Sequence, residues 1–158
     1  MAKKGSKQSK ASANETLVGD NRKARFEYEI LETFEAGVVL KGTEVKTLRQ
    51  GLVTLGEAYA KFTGLELWLI GCNIPEYSHG NLQNHEPKRR RKLLLRRTEL
   101  KKLKDQAQMK GLTMVPLRIY FGEKGYAKVT VGVGRGRKTQ DKRQSLKDKE
   151  AKKVMRDR

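Results

Sequence analysis

The chain has 158 residues, which predicts one domain with flexible ends rather than two separate cores. Its 36 Lys and Arg residues against 18 Asp and Glu residues give a formal net charge of +18, an excess that favours an anionic polymer as partner. A single cysteine, Cys72, excludes an internal disulfide, and no stretch approaches the roughly 18 apolar residues of a membrane span, so we expect a cytoplasmic protein.

The positive charge is concentrated in two blocks. Residues 21–87 carry 7 basic and 9 acidic side chains, whereas residues 88–104 carry 10 basic and 1 acidic, and residues 135–158 carry 11 and 4. This distribution predicts a core domain with one basic element and one basic tail. Because few aromatic residues lie among the cations, folded RNA or duplex bound through its backbone is favoured over single strands bound by base stacking.

The first third of the chain predicts a leader, two strands and a short helix. Residues 1–20 are rich in Lys, Ser, Gly, Ala and Asn, the composition of a segment that stays disordered. From Arg25, RFEYEILETF alternates mostly with the period of two that is typical of a half-buried strand. AGVVLKG, residues 36–42, predicts a second strand, and TEVKTLRQG predicts a helix that Gly51 ends.

Two later segments predict β-hairpins. In residues 55–71 two apolar runs are joined at Thr63 and Gly64, and in residues 112–134 two β-rich runs flank the turn at residues 122–125. Each hairpin supplies a pair of antiparallel strands.

Between these hairpins the chain predicts a loop and then a helix. Residues 73–87 are rich in Pro, Gly and Asn, which favours a loop. The stretch EPKRRRKLLLRR, residues 86–97, leads into a segment that Gly111 can end as a helix. Its apolar residues recur on one helical side and would dock the helix, so that its cations face an RNA backbone; these residues are Leu93, Leu100, Leu103 and Ala107.

The predicted fold class is mainly β: an OB-fold-like closed antiparallel barrel of about six strands with about three short helices, followed by a disordered basic C-terminal tail. A closed barrel protects the edges of so many short strands. The predicted boundaries are a leader over residues 1–20, a barrel over residues 21–134, and a tail over residues 135–158 that stays disordered until it is bound.

No motif of known enzyme mechanics occurs, so we expect no catalysis, no metal and no cofactor. His79 and His85 are interpreted as surface loop histidines, with a ribonuclease as the enzyme alternative. GVGRGRK, residues 132–138, lacks nucleotide-site spacing and is either a flexible exit from the last strand or a close approach to RNA phosphates. KGYAKVTV, residues 124–131, matches part of the RNA-recognition-motif signature, but Lys128 stands where an aromatic residue would stack, so it is interpreted as an ordinary hairpin.

Several phrases then carry a resemblance to a known family. NRKARFEYEI, FEAGVVLKGTEVKTLRQG, RKLLL at residues 91–95, KGLTMVPLRIY and DKR at residues 141–143 occur in that family's order, from about Asn21 to the end. On these phrases the chain resembles the small protein B family of bacterial tmRNA-binding proteins, which act in trans-translation. The resemblance implies an oligonucleotide-binding barrel that grips the tRNA-like domain of tmRNA and replaces its missing anticodon arm.

The same resemblance implies further partners. The tail is expected to lie as a helix in the empty mRNA channel of a stalled ribosome, against small-subunit rRNA at the decoding centre. Elongation factor Tu is implied indirectly, through aminoacylated tmRNA. The tail after Arg143 is short and lacks the tryptophan that some members carry.

The resemblance also implies site residues. Those for tmRNA binding are Asn21, Arg22, Lys23, Arg25, Glu35, Lys46, Arg49, Arg91, Lys92 and Leu94. Those for ribosome binding by the tail are Gly136, Lys138, Asp141, Lys142 and Arg143. Glu35 would repel phosphate unless it accepts from a base edge or orients a neighbouring cation, and Leu94 is equally explained by packing.

The alternative binding function is a barrel that coats RNA without preference, such as an RNA chaperone or a ribosomal protein.

Overall fold

Alternating apolar and polar residues build seven antiparallel strands in the computed structural model, which describes residues 15–80 and 83–137 together with residues 147, 149 and 150. The strands are β1 (Thr16–Asp20), β2 (Tyr28–Val38), β3 (Tyr59–Thr63), β4 (Glu66–Ile70), β5 (Arg91–Leu94), β6 (Leu112–Phe121) and β7 (Ala127–Gly136). The helices are α1 (Arg22–Glu27), α2 (Gly42–Arg49) and α3 (Arg97–Ala107). No helix within the described ranges is long and apolar enough to cross a membrane.

The strands close into a barrel. Their order is β1-β6-β3-β4-β5-β2-β7, and β7 also pairs with β6, so six strands form a ring. β3 meets β6 only at Ala60 opposite Met114, while β1 pairs with the other end of β6 at residues 118–121. The OB-fold-like barrel of about six strands with three short helices is therefore confirmed.

The core lies inside the ring and under α3. Leu67, Leu69, Val129 and Val131 point inward and are fully buried. Leu103 of α3 is also fully buried, and the neighbouring Leu100 and Ala107 pack against the same cluster. The prediction that leucines dock this helix onto the barrel is thus confirmed for α3.

The glycines of the run at residues 132–138 have a packing reason. A Cβ on Gly132 would lie 2.9 Å from Leu117 Cδ1, and a Cβ on Gly134 would lie 2.6 Å from the carbonyl oxygen of Glu29. Both glycines are buried in β7. The interpretation of this run as a flexible exit is wrong through Gly136, where the strand ends.

Local assignments at the start of the chain differ from the prediction. Residues 16–20, placed in the leader, form β1 on the edge of the ring, whereas residues 1–14 lie outside the described part. Arg25 lies in α1 rather than in a strand, because Asn21 caps a helical turn by accepting a hydrogen bond from the Ala24 amide. The two strands predicted over residues 25–42 are one continuous strand, β2.

The basic stretch also begins differently. Residues 91–94 form strand β5, which pairs with β4 and β2, and the helix starts only at Arg97. Leu93 is therefore a core residue of a strand. Cross-strand hydrogen bonds to two neighbours outweigh the helical spacing of the leucines at this point.

Candidate nucleic-acid interface

A buried carboxylate organises the basic stretch from within. Glu44 of α2 is fully buried and accepts hydrogen bonds from both Arg89 and Arg91. It also accepts one from the Lys41 amide at 2.8 Å, at the start of its own helix. α2 and β5 are thereby joined by charge as well as by packing, and the buried carboxylate is compensated by two guanidinium groups.

Arg91 is the centre of this buried network. Its side chain is fully buried, and it donates to the carbonyl oxygens of Cys72 at 2.7 Å and Pro87 at 3.0 Å in addition to Glu44. Strand alternation is the reason: Arg91 and Leu93 face inward, while Lys92 and Leu94 face outward. The Arg91 side chain therefore binds within the protein here, and its role in tmRNA binding stays a prediction.

The ionised form of Glu44 is favoured despite its burial. Desolvation opposes ionisation, but hydrogen bonds from Arg89, the Lys41 amide and Arg91 outweigh it and hold the pKa of Glu44 below its ordinary value. The network is therefore an ion cluster at neutral pH rather than a neutral hydrogen-bonded one.

Asn21 is the second predicted contact that turns out to be buried. Its Nδ2 donates to the carbonyl oxygens of Pro116 at 2.8 Å and Leu55 at 3.2 Å, and its Oδ1 caps α1 through the Ala24 amide. The side chain is 3% exposed and has its polar atoms satisfied within the protein. The Asn21 side chain holds α1 on the barrel instead of facing solvent, and its role in tmRNA binding stays a prediction.

The cations of α1 are exposed. Arg22 lies on the outer surface, Lys23 pairs with Glu57 at 2.8 Å, and Arg25 pairs with Asp20 at 3.0 Å. Ion pairs this exposed are weak and screened, so the cations remain free to exchange partners for phosphates.

The cations of α2 lie against aromatic rings. Lys46 Nζ is 5.4 Å from the centroid of Tyr77, and the Arg49 guanidinium carbon is 5.7 Å from the centroid of Phe121. Both side chains are exposed on the last turn of the helix. Contact with a ring limits their conformations without neutralising their charge.

Glu35 and Leu94 belong to one open cleft on the barrel's outer face. The cleft has a volume of about 500 Å³ and is lined by both residues together with Lys128 of β7. Leu94 is 51% exposed, so packing does not explain it. Glu35 lies 4.0 Å from Arg118 of β6, whose Nε donates to Thr130 Oγ1 at 3.2 Å.

Lys128 and Arg118 were missed from the sequence. Lys128 stands where the RNA-recognition signature fails, and its strand position places it opposite Gly37 and Tyr120. The neighbourhood of Glu35 is therefore cationic on two sides, which agrees with the hypothesis that the carboxylate orients a neighbouring cation. Burial is the larger cause that raises the pKa of Tyr120, and the nearby Glu35 carboxylate raises this pKa further.

Of the predicted tail residues, only Gly136 is described. It ends β7 opposite Tyr28, and the following Arg137 amide donates to the Glu27 carbonyl oxygen at 2.8 Å. The other predicted residues lie outside the described part: Lys138, Asp141, Lys142 and Arg143. Further along, Lys149 Nζ lies 5.9 Å from the ring centroid of Phe26 on α1.

The two histidines have different environments. His85 is 2% exposed: its Nε2 donates to the Ile74 carbonyl oxygen at 2.8 Å, and its Nδ1 contacts Thr43 Oγ1 at 2.9 Å. The interpretation as a surface histidine is therefore wrong for His85. His79 is exposed and packs edge-on against Tyr77. In the ranges that the structure describes, no group of three or more His, Cys, Asp or Glu residues is placed to hold a metal ion.

Known proteins resemble the chain over nearly its whole length. The family model described as "SmpB protein" matches residues 18–158. An SsrA-binding protein of Chelativorans sp. is 52% identical over 139 residues, covering 88% of this chain and 90% of the relative. An SsrA-binding protein of Mesorhizobium japonicum is also 52% identical, over 141 residues, covering 89% of each chain.

A solved structure agrees with these relatives. It is described as "tmRNA-SmpB: a journey to the center of the bacterial ribosome", and one of its chains is 52% identical to this one with a TM-score of 0.66. The match covers 77% of this chain and 85% of that chain. With the family model spanning residues 18–158 and relatives at this identity, the chain belongs to the SmpB family.

Proposed function

We propose that this protein is a non-enzymatic RNA-binding adaptor of ribosome rescue by trans-translation, which binds the tRNA-like domain of tmRNA. The observation that carries the proposal is the 52% identity to the chain of a solved tmRNA-SmpB structure in the bacterial ribosome, over 77% of this chain. The exposed cations of α1 and α2 on an OB-like barrel support it, because such cations supply the electrostatic part of RNA binding.

Within the predicted site we assign two kinds of role. Direct contact with tmRNA is assigned to the exposed or partly exposed side chains, which are Arg22, Lys23, Arg25, Glu35, Lys46, Arg49, Lys92 and Leu94. Asn21 and Arg91 are positioning residues, because their side chains are buried and hydrogen-bonded within the protein. Lys128 joins the contact set because it lines the same cleft as Glu35 and Leu94.

The remaining steps of the proposal concern the ribosome. The barrel takes the place of the anticodon arm that tmRNA lacks, and the tail from Gly136 through Lys138, Asp141, Lys142 and Arg143 enters the empty mRNA channel near the decoding centre. The block of 11 basic and 4 acidic side chains in residues 135–158 suits a channel walled by small-subunit rRNA. Elongation factor Tu takes part only through aminoacylated tmRNA, and the work is done in the cytoplasm.

The test is equilibrium binding to the isolated tRNA-like domain of tmRNA beside an ordinary tRNA of similar length. Both are titrated across salt from about 50 to 300 mM, where backbone-only binding weakens severely. We expect a preference for the tRNA-like domain that persists at high salt. Equal affinities that vanish together would replace the adaptor with a barrel that coats RNA without preference.

The ribonuclease alternative is weakened by the burial of His85 within the protein, where its ring nitrogens are occupied by Thr43 and Ile74. A general base needs access to its substrate. Incubation of the protein with tmRNA, with and without a chelator, is expected to leave the RNA intact. Cleavage that His79→Ala abolishes would restore the enzymatic alternative.

A further inference from the structure

An open groove separates β3 from β6 on the side of the barrel that α3 covers. The two strands pair only at Ala60 opposite Met114, so they diverge on leaving that point. The resulting groove has a volume of about 360 Å³, within the range of about 300 to 1,000 Å³ that is common for ligand pockets. Its lining combines apolar side chains with two aromatic residues, Tyr59 and Phe62, both from β3.

Cations without an ion-pair partner among the described residues lie in this groove and on the helix beside it. Lys61 and Lys104 line it directly. On α3, Arg97, Lys101 and Lys104 are spaced four and three residues apart, which places them in one row on the helix surface. Of the ion pairs formed among the described residues, none involves a member of this row. Lys102, by contrast, faces the other way and pairs with Glu32 at 2.5 Å.

The row is long enough for a polymer. Residues 97 to 104 span about 10 Å of helix axis, which is room for about three phosphates at the stacked spacing of about 3.4 Å. Tyr59 is 42% exposed, so one ring edge or face is available to a ligand. An aromatic ring beside a row of cations is the arrangement by which OB-folds hold single-stranded nucleic acid.

The groove also continues towards the surface that carries α1. Tyr59 and Thr113 line both this groove and the neighbouring cavity of about 220 Å³, which Lys23 also lines. A strand leaving the groove past Tyr59 would therefore reach the exposed cations of α1. Two carboxylates line this path, Glu57, which pairs with Lys23, and Glu27.

We propose that the groove between β3, β6 and α3 binds an unpaired RNA segment, with one base stacked on Tyr59 and its phosphates along Arg97, Lys101 and Lys104. The site goes beyond the proposed function, because it requires a single-stranded segment and not a tRNA-like fold. Charge complementarity favours RNA over a neutral peptide, and the ring favours a nucleotide over a bare anion.

The test uses a fluorescent single-stranded RNA of about ten nucleotides, within the site sizes of OB-folds, and measures affinity by anisotropy with the full chain. Tyr59→Val keeps a strand-forming residue and removes the ring, and we expect it to weaken binding at least about fivefold, the low end of one base stack. Tyr59→Phe keeps the ring and should bind as the wild type does. Tyr126→Val removes a more exposed tyrosine elsewhere and is the matched control, with no expected loss.

The row of cations is tested by the triple change Arg97→Gln, Lys101→Gln and Lys104→Gln. It should flatten the log-log salt slope of single-strand binding by about 2, at roughly 0.7 for each lost phosphate contact. Lys102→Gln on the same helix should leave the slope unchanged. A 4-thiouridine in the RNA should crosslink to the peptide that contains Tyr59.

Two results would overturn the proposal: equal affinity of Tyr59→Val and the wild type, or crosslinks confined to α1 and α2. Affinity for the tRNA-like domain, measured in parallel, separates the two proposals. If the protein binds the short RNA in the groove but does not prefer the tRNA-like domain, the groove proposal is supported and the adaptor proposal is refuted. If the protein prefers the tRNA-like domain but does not bind the short RNA in the groove, the adaptor proposal is supported and the groove proposal is refuted.

Discussion

Replacing Arg91 tests whether the basic stretch is anchored from inside. Arg91→Met keeps the length of the side chain and removes its charge. Arg89 is then the one cation bound to Glu44, and the Cys72 and Pro87 carbonyl oxygens lose the hydrogen bonds from Arg91. Removing one partner of a buried ion pair costs about 3–5 kcal/mol. That is a large share of the roughly 5–15 kcal/mol that stabilises a domain.

The assay is urea denaturation followed by circular dichroism. With an m-value of about 1–3 kcal/mol per molar, a loss of this size lowers the midpoint by roughly 2 M. The matched control is the neighbouring Arg90→Met, because Arg90 is exposed and its guanidinium lies 5.1 Å from the ring of Trp68. We expect this control to cost no more than about 1 kcal/mol.

A double variant identifies the cause. Glu44→Gln with Arg91→Met removes both fully buried charges and should be less destabilised than the sum of the single variants, since the charge that remains, on Arg89, is partly exposed. The reasoning is refuted if Arg91→Met is as stable as Arg90→Met and yet loses affinity for the tRNA-like domain. In that case Arg91 would be a direct RNA contact after all.

Three further predictions concern pH, packing and the tail. Glu44 and Glu32 have pKa values below the ordinary 4.5 in the folded protein, so the stability they contribute is present above pH 4.5 and is lost as the pH falls through those lowered pKa values. Urea denaturation at a series of decreasing pH values should show this loss of stability. Glu44→Gln should make the loss smaller. Gly134→Ala should cost about 1–3 kcal/mol in thermal denaturation, because the added Cβ would overpack against the Glu29 carbonyl oxygen of β2. Gly136→Ala should be nearly neutral, because the space around its Cα is open. Equal costs would contradict the packing argument. Removal of residues 138–158, which spares β7, should leave affinity for the tRNA-like domain within about twofold, because the phosphate contacts assigned to α1 and α2 remain. The same removal should stop tagging on stalled ribosomes. Parallel loss of affinity and tagging would refute the separate roles of barrel and tail.

Period-two alternation and turn residues predicted the barrel correctly. The hairpin of β3 and β4 turns at Gly64, whose φ of +62° lies in the left-handed region that glycine tolerates best. The hairpin of β6 and β7 turns at Gly125 with a φ of +80° for the same reason. These signals are local, so the sequence contains them in full.

The inner role of the basic stretch was not predictable in this way. Arg91 is buried because it pairs with the buried carboxylate of Glu44, 47 residues earlier, and no local pattern reveals that pairing. α1 was missed for a related reason. Its last three residues, from Arg25, lie in a phrase that alternates like a strand, and only the cap by Asn21 marks the helix.

The site was predicted as a set of residue types rather than as an arrangement. The exposed cations of α1 and α2 could be named, but Lys128 and Arg118 enter through cross-strand neighbours of Glu35 that only the register defines. The 36 Lys and Arg residues likewise overstate the number of cations that RNA can meet, because the Arg91 side chain is buried against Glu44.

The five consecutive cations at residues 88–92 form two functional groups that differ in the burial of their side chains. Lys88, Arg90 and Lys92 keep exposed side chains, whereas Arg89 and Arg91 point towards Glu44. Changing Lys88, Arg90 and Lys92 together to Gln should therefore lower the log-log salt slope of RNA binding by about 2, at roughly 0.7 to 0.9 for each phosphate contact, and leave the urea midpoint nearly unchanged. Changing Arg89 and Arg91 to Gln should do the opposite, because it removes both partners of a buried carboxylate. If both variants lost slope and stability alike, the five cations would act as one solvated block, and the division between anchoring and binding would be wrong.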